Sequence, residues 1–441
     1  MRLSAHAGPV VIGPDSAPVL AAEFEQWMKR LGPFESAPRI AVAVSGGRDS
    51  MALAILARDW AKAHGGSVHA VTIDHGLRSN SAHEAAHVGC WMLQLDIPHQ
   101  IVCWETPEHE TGIEAAARDA RYALLEAYCQ EHGILHLLVG HHQADQQETH
   151  QMRRARGSGL VGLAGMAAVR EMTHVRVLRP LLGVSRDRIT ATLQVAGQDW
   201  VEDPSNQDGR FARARMRAQG DAAVAMADIR QAGATRKLHE QALAILAATA
   251  VGIDPAGFAM IDLQAIQDAD ADVSRNLFGN VVTSVSGGVY PPRGTRLDNL
   301  WARLIAKGVD RAWTLGGCII RPEGTGKICV MREPVAVVAQ PFPSGERVLW
   351  DGRFVLSAQG FDVTGLTLDA LGRAKPNYRQ IPDFEPLSRL PKDVCATLPA
   401  LFCESEIVAF PSFDPPNTAL RNLYVRFAPQ KPVSGAAFGN V

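Results

Sequence analysis

An α/β fold, a parallel sheet flanked by helices, is the class predicted for the first half of this chain. Two observations carry that prediction. Short apolar runs alternate with amphipathic stretches from Arg39 onward, and the residues with chemical character gather where the apolar runs end. A third observation, the change to an Ala-rich helical pattern after residue 217, adds further domains behind it.

The elements follow in order. Residues 1–17 read as a weakly patterned lead, after which Leu20, Phe24, Trp27, Met28 and Leu31 fall at the spacing of a helix that packs one face. Strand 40–44 is followed by helix 51–64, strand 68–74, helix 82–95, strand 99–104, helix 112–131 and strand 135–140. Strands joined through helices pair in parallel, which places helices on both faces of the sheet. A helix over 185–196 and the polar stretch Glu202-Asp203-Pro204-Ser205-Asn206-Gln207-Asp208 close this domain near residue 217. Residues 218–308 are helical in pattern. Trp313 to Arg321 and Lys327 to Arg332, separated by Pro-Glu-Gly-Thr-Gly, read as a hairpin, and short apolar runs among frequent Pro and Gly beyond Pro334 read as a small β-containing module. The expected layout is an extension at 1–38, a nucleotide domain at 39–217, a mostly helical domain ending in the hairpin at 218–335 and the small module at 336–441.

Composition narrows the class. The 441 residues are 46% apolar and 20% charged, without an apolar run long enough to span a bilayer and without the layout of a signal peptide, so the cytoplasm is the expected compartment. Seven cysteines, none in a C-x-x-C pair, indicate neither a disulfide framework nor a zinc ribbon. A net charge of −2 argues against non-specific nucleic-acid binding through the whole surface, so any RNA must be held by local basic patches.

The stretch Ser45-Gly46-Gly47-Arg48-Asp49-Ser50 lies between a strand and a helix. Small residues there admit close approach of an anion, hydroxyls donate to it, and the helix start aims free N–H groups and its dipole at it. The pyrophosphate of ATP is the ligand this suits. The lysine of the Walker pattern is absent, which argues against a kinase or GTPase. Asp49 is the candidate carboxylate for a metal or for the phosphate side, unless it caps the following helix. Asp74 and His75 end the second strand, beside the same site. A second constellation, Gly140-His141-His142-Gln143-Ala144-Asp145-Gln146-Gln147-Glu148-Thr149, sets two histidines at a strand end, and Asp145, Glu148, Thr149 and Met152 share one face of the helix below. Those carboxylates suit Mg²⁺ or a cationic substrate equally. Gly157, Gly159 and Gly162 match a dinucleotide fingerprint in spacing alone, since they follow a helix instead of a strand. Arg153, Arg154 and Arg156 beside them, with Arg213 and Arg217 further on, are candidates for RNA phosphates.

Taken together, S-G-G-R-D-S, D-H-G-L-R, E-A-A-A-R-D-A-R-Y, G-H-H-x-x-D-Q-x-E-T, R-G-S-G-L-V-G-L-A-G-M, R-P-L-L and E-D-P-S-N-x-D-G-R-F resemble the tRNA(Ile)-lysidine synthases, members of the PP-loop ATP pyrophosphatases, in the same order over residues 40–217. The resemblance implies an enzyme that adenylates cytidine 34 of tRNA(Ile) with a CAU anticodon, using ATP and Mg²⁺, and lets L-lysine displace AMP. It implies that Ser45, Gly46, Gly47, Arg48, Asp49, Ser50, Asp74 and His75 bind ATP, that Asp145, Glu148 and His142 bind lysine, and that Asp49, His142, Asp145 and Arg118 are catalytic, with Arg118 near the α-phosphate. Either His141 or His142 is left to carry the lysine proton, and a homodimer is left open. Two departures stand out: Ala144 where the family commonly has a first aspartate, and Ala214 where it often has asparagine. The rivals are another PP-loop tRNA modifier, such as a base thiolase, and a non-catalytic ATP-dependent RNA-binding protein.

Overall fold

Pairing of the strand before the phosphate loop with the strand before the two histidines sets the architecture. The computed structural model describes residues 16–76, 81–104, 113–155, 157, 160–202, 226–292, 294–307, 311–342, 347–358, 363–373, 387, 389–404, 406–409 and 423–434. They belong to two compact units that divide between Lys237 and Leu238.

In the first unit the elements run α1 (Ala21–Leu31), β1 (Arg39–Ala43), α2 (Arg48–Ala63), β2 (Ser67–Asp74), α3 (Ser81–Gln94), β3 (His99–Cys103), α4 (Ile113–Glu131), β4 (His136–Leu138), α5 (Gln143–Ala155), α6 (Leu160–Leu163), β5 (Val169–Glu171), β6 (Arg176–Leu178) and α7 (Arg186–Ala196). The sheet order is β3-β2-β1-β4-β6-β5, parallel except for β5 against β6. Chain order reverses between β1 and β4, where Ile40 pairs with His136 and Val42 with Leu138. At such a switch point the loops leaving the two strands diverge and open a crevice at their carboxyl ends.

Alternation along β1 builds both cores. Ile40 and Val42 join α1, α2 and α7 through Phe24, Met28, Met51, Leu53, Ile189 and Leu193, while Ala41 joins α4 through Leu125 and Cys129. The amphipathic α1 buries Phe24, Met28 and Leu31 as its spacing predicts, and Leu20 stays exposed. The helix expected from residue 51 begins at Arg48, because Gly47 takes the extended conformation of an N-cap and the polar motif itself forms the first turn.

The second unit departs from a purely helical reading of residues 218–308. After α8 (Met226–Ala250), which begins in the first unit, the chain forms the strands β7 (Val251–Asp254) and β8 (Phe258–Asp262), then α9 (Leu263–Asp268), α10 (Ala271–Ser286) and α11 (Gly294–Lys307). The expected hairpin is present as β10 (Cys318–Pro322) and β11 (Lys327–Arg332), with β9 (Trp313–Leu315) on its outer edge. It is extended by β8 and β7 into one five-stranded sheet, order β7-β8-β11-β10-β9. The signal was the turn sequence Asp254-Pro255-Ala256-Gly257 between two four- or five-residue apolar runs, too short to outweigh the helical pattern around it. The C-terminal module carries two small sheets, β12-β15-β16-β17 and β13-β14-β18, built from β12 (Gln340–Pro341), β13 (Arg347–Trp350), β14 (Phe354–Ala358), β15 (Thr367–Ala370), β16 (Pro399–Cys403), β17 (Glu406–Ala409) and β18 (Leu423–Phe427). Among the described residues no helix is long and apolar enough to cross a membrane.

One buried ion cluster anchors that module. Asp351 accepts from Arg332 Nη2 at 2.7 Å and from Arg353 Nε at 2.6 Å, and Arg353 is wholly buried with a further bond from Nη2 to Thr397 O at 3.0 Å. Burial draws the Arg353 guanidinium down to about 10, against the opposing pull of Asp351, so it remains charged at neutral pH. Replacing Asp351 by alanine strands two buried cations. A loss of about 3–5 kcal/mol is expected, read as a lower denaturant midpoint for the transition that exposes Trp350; a shift under about 1 kcal/mol would refute the arrangement.

Candidate active site

The loop after β1 is held by its own side chains. Ser45 N donates to Ser50 Oγ at 3.1 Å, the two hydroxyls lie 3.3 Å apart, and Ser50 Oγ donates to Gly47 O at 2.9 Å. Gly46 has φ +79°, and a Cβ there would sit 2.6 Å from Val88 Cγ2, so only glycine fits. The carbonyl of Gly46 accepts from Val201 N at 2.8 Å, and Gly47 forms a parallel bridge with Val201, which ties the loop to the end of the domain.

Gly140, leaving β4, meets the first turn of α2 backbone to backbone. A Cβ there would lie 3.0 Å from Asp49 C and from Ser50 N. This approach brings the residues after β4 against Asp49. His142 Nε2 stands 3.6 Å from Asp49 Oδ2 and His142 Nδ1 stands 3.8 Å from Asp145 Oδ2, so one imidazole separates the loop carboxylate from the carboxylate on α5.

His142 and Asp145 also cap α5 reciprocally. The backbone N–H of His142 donates to Asp145 Oδ2 at 2.9 Å, and the N–H of Ala144 donates to His142 Nδ1 at 3.1 Å. Position 144 thus contributes its backbone here. Glu148 is buried one turn further along the same face, and Thr149 Oγ1 returns to Asp145 O at 2.8 Å. Burial raises the Asp49 carboxyl above its ordinary range; the nearby His142 opposes this and Asp145 reinforces it. Asp49 Oδ1 is buried and has no hydrogen-bond partner among the described residues.

A cleft of about 740 Å³ opens over the carboxyl ends of the strands. Ser45, Gly47, Arg48, Asp49, Ser50, Asp74, His75, Arg118 and His141 line it, whereas His142, Asp145 and Glu148 lie outside its lining. Asp74 Oδ1 also accepts from Gly76 N at 3.0 Å, as a turn-forming aspartate does. Arg121 donates to His75 Nε2 at 3.0–3.1 Å, and burial together with that guanidinium holds the His75 imidazole below its usual value. Arg48 stacks on Trp200 with 5.2 Å to the ring centroid and reaches Glu202 at 3.4 Å.

Several lining residues escaped sequence reasoning: Tyr122, Arg186, Trp200 and Glu202. Tyr122 falls inside a motif, but its burial between Arg118 and Arg170, at 5.6 and 5.3 Å, depends on strand order that spacing does not encode. Among the proposed RNA ligands, Arg154 is exposed, while Arg153 donates to Gly162 O at 2.8 Å and Gly165 O at 2.6 Å and so holds the following segment. Arg156, Arg213, Arg217 and Ala214 lie outside the described residues.

A serine- and glycine-bounded anion loop at the switch point of a parallel sheet, with no lysine in it, defines an ATP-using PP-loop domain, and the PP-loop domain family model matches residues 17–220. The relatives extend beyond it. The chain is 34% identical to the tRNA(Ile)-lysidine synthase of Ruegeria pomeroyi, covering 85% of this chain and 88% of that one, and 32% identical to that of Orientia tsutsugamushi, covering 81% and 83%. Over 207 residues it reaches 44% identity with the tRNA(Ile)-lysidine synthase of Rhodopseudomonas palustris, covering 46% of this chain and 59% of that one. The chain belongs to the tRNA(Ile)-lysidine synthase family.

The raised Asp49 carboxyl gives stability and activity opposite responses. A folded-state value above the unfolded one means that the native protein holds this proton more tightly, so the contribution is lost as pH rises from the unfolded value of about 3.9 through the folded one. Asp49→Asn is therefore expected to match or exceed the parent in denaturant midpoint near about pH 8, with the gain shrinking toward about pH 4, while turnover is abolished. A variant less stable at the higher pH would overturn this.

Proposed function

We propose that this chain converts cytidine 34 of tRNA(Ile) with a CAU anticodon to lysidine, using ATP and free L-lysine. The observation that carries the reading is His142 standing between Asp49 of the phosphate loop and Asp145 of α5, which sets an acidic helix face beside an ATP cleft. In this reading the C2 oxygen of the cytidine attacks the α-phosphorus of ATP and pyrophosphate leaves. The ε-amine of lysine then attacks C2, and AMP departs with the oxygen.

Each step asks something of the residues. The loop amides, Ser45, Ser50 and Arg48 stabilise the departing pyrophosphate, and Arg118 faces the α-phosphate across the cleft. Lysine, with a pKa of about 10.4 in water, arrives as a cation and must lose a proton before attack. Buried Glu148 and half-buried Asp145 suit the ammonium, since a buried carboxylate is stabilised by a cation. The orphaned Oδ1 of Asp49 fits Mg²⁺, which commonly takes one or two carboxylates and completes its shell with water and substrate phosphates. When bound there, the ion would neutralise charge on the phosphates.

Thiolation is the weaker alternative. Burial pushes the Cys129 thiol up to about 12, and neither Cys90 nor Cys103 lines the cleft. Mass analysis of the nucleoside formed from tRNA(Ile), ATP and lysine tests the proposal, with lysidine, AMP and pyrophosphate expected; ADP with phosphate would sink it. Glu148→Gln is expected to raise the KM for lysine about ten- to a hundredfold, from loss of a charge-assisted bond of about 1.5–3 kcal/mol, with a smaller effect on ATP. Equal effects on both substrates would move Glu148 out of the lysine pocket.

A further inference from the structure

The two histidines after β4 are distinguished by what their Nδ1 atoms accept. His141 Nδ1 lies 3.3 Å from Arg179 Nε. A guanidinium only donates, so that nitrogen must carry the lone pair and the ring proton must sit on Nε2. Arg179 does not line the cleft whereas His141 does, and on an imidazole the Nε2 edge points away from the group bonded at Nδ1.

Arg179 is itself fixed. It is 5% exposed, its Nη1 donates to Ala167 O at 2.7 Å, and it bonds the Tyr122 hydroxyl. Arg118 and Arg170 flank the same tyrosine, and none of these three arginines has a carboxylate partner among the described residues. A proton on His141 Nδ1 would set N–H against N–H beside three cations. For His142 the capping bond from Ala144 N–H occupies Nδ1 and leaves the Nε2 edge toward Asp49.

We infer that Arg179 is a positioning residue that holds His141 as a neutral Nε2–H donor to a phosphate oxygen of the bound nucleotide, so that His141 is not the base that deprotonates lysine. The phosphate follows from the surroundings: the edge opens into the cleft that the anion loop and Arg118 share. The inference rests on that cleft holding ATP.

Glutamine can present an N–H near the place of Nε2 but has no basic nitrogen, so two substitutions separate donor from base. His141→Gln is expected to keep kcat within about tenfold of the parent, whereas His141→Leu is expected to lose about a hundredfold or more, the effect of removing one preorganised donor. Glutamine as inactive as leucine would overturn the donor role. Independently, ¹⁵N-histidine labelling of the full chain, with the His141 signal identified by its loss in His141→Gln, should show an unprotonated Nδ1 and a protonated Nε2. In Arg179→Met the same signal should become a mixture of tautomers. A proton on Nδ1 in the parent protein, or an unchanged tautomer in a folded Arg179→Met, would overturn the positioning role. Should the methionine variant not fold, the parent spectrum and the glutamine–leucine pair still decide. The spectrum needs no turnover, so a parent protein that makes no lysidine would defeat the proposed function and leave the tautomer standing.

Discussion

Parallel pairing of β1 with β4 is the constraint on which the site depends. It sets the chain reversal between two adjacent strands, so the phosphate loop and the histidine pair leave the sheet side by side instead of on separate crests. A side chain at position 140 would crowd the first turn of α2. Glycine there lets the backbone after β4 rest against that turn. The spacing of His142 from Asp49 and Asp145 follows from that contact.

The same region uses polar side chains for its own shape. His142 and Asp145 cap α5, Ser45 and Ser50 close the anion loop, and Arg153 and Gln146 hold the segment after α5, Gln146 through bonds of 2.9 and 2.6 Å to Met166. Groups assigned to substrate in the proposed reaction are thus oriented by bonds within the protein itself, the preorganisation that electrostatic catalysis requires. Asp49 is the exception: burial disfavours its charge, and one oxygen has no protein partner among the described residues. A carboxylate left so is stabilised by what binds there.

How much of this was legible in the sequence depended on range. The β1-loop-α2 unit, the strand alternation and the α5 face were readable because period and adjacent motif residues encode them, as Phe24, Met28 and the Ser45–Ser50 loop illustrate. The strands β7 and β8 were hidden because strands of four or five residues carry little pattern inside an Ala-rich stretch. Tyr122 and Trp200 entered the cleft lining through strand order and burial, which no local spacing records. The sequence left His141 and His142 equivalent. The structure separates them by the donor facing each Nδ1, and by the cleft, which His141 lines and His142 does not.

The strap between Val201 and the phosphate loop links residues more than 150 positions apart, with Val201 N on the Gly46 carbonyl and the bridge at Gly47. During vectorial synthesis the Ser-Gly-Gly motif leaves the ribosome early, while Val201 is among the later parts of the domain to be made. Until then the motif has its internal Ser45 and Ser50 bonds but not its tie to Val201. A truncated product ending before residue 200 would therefore carry the motif without this backbone tie.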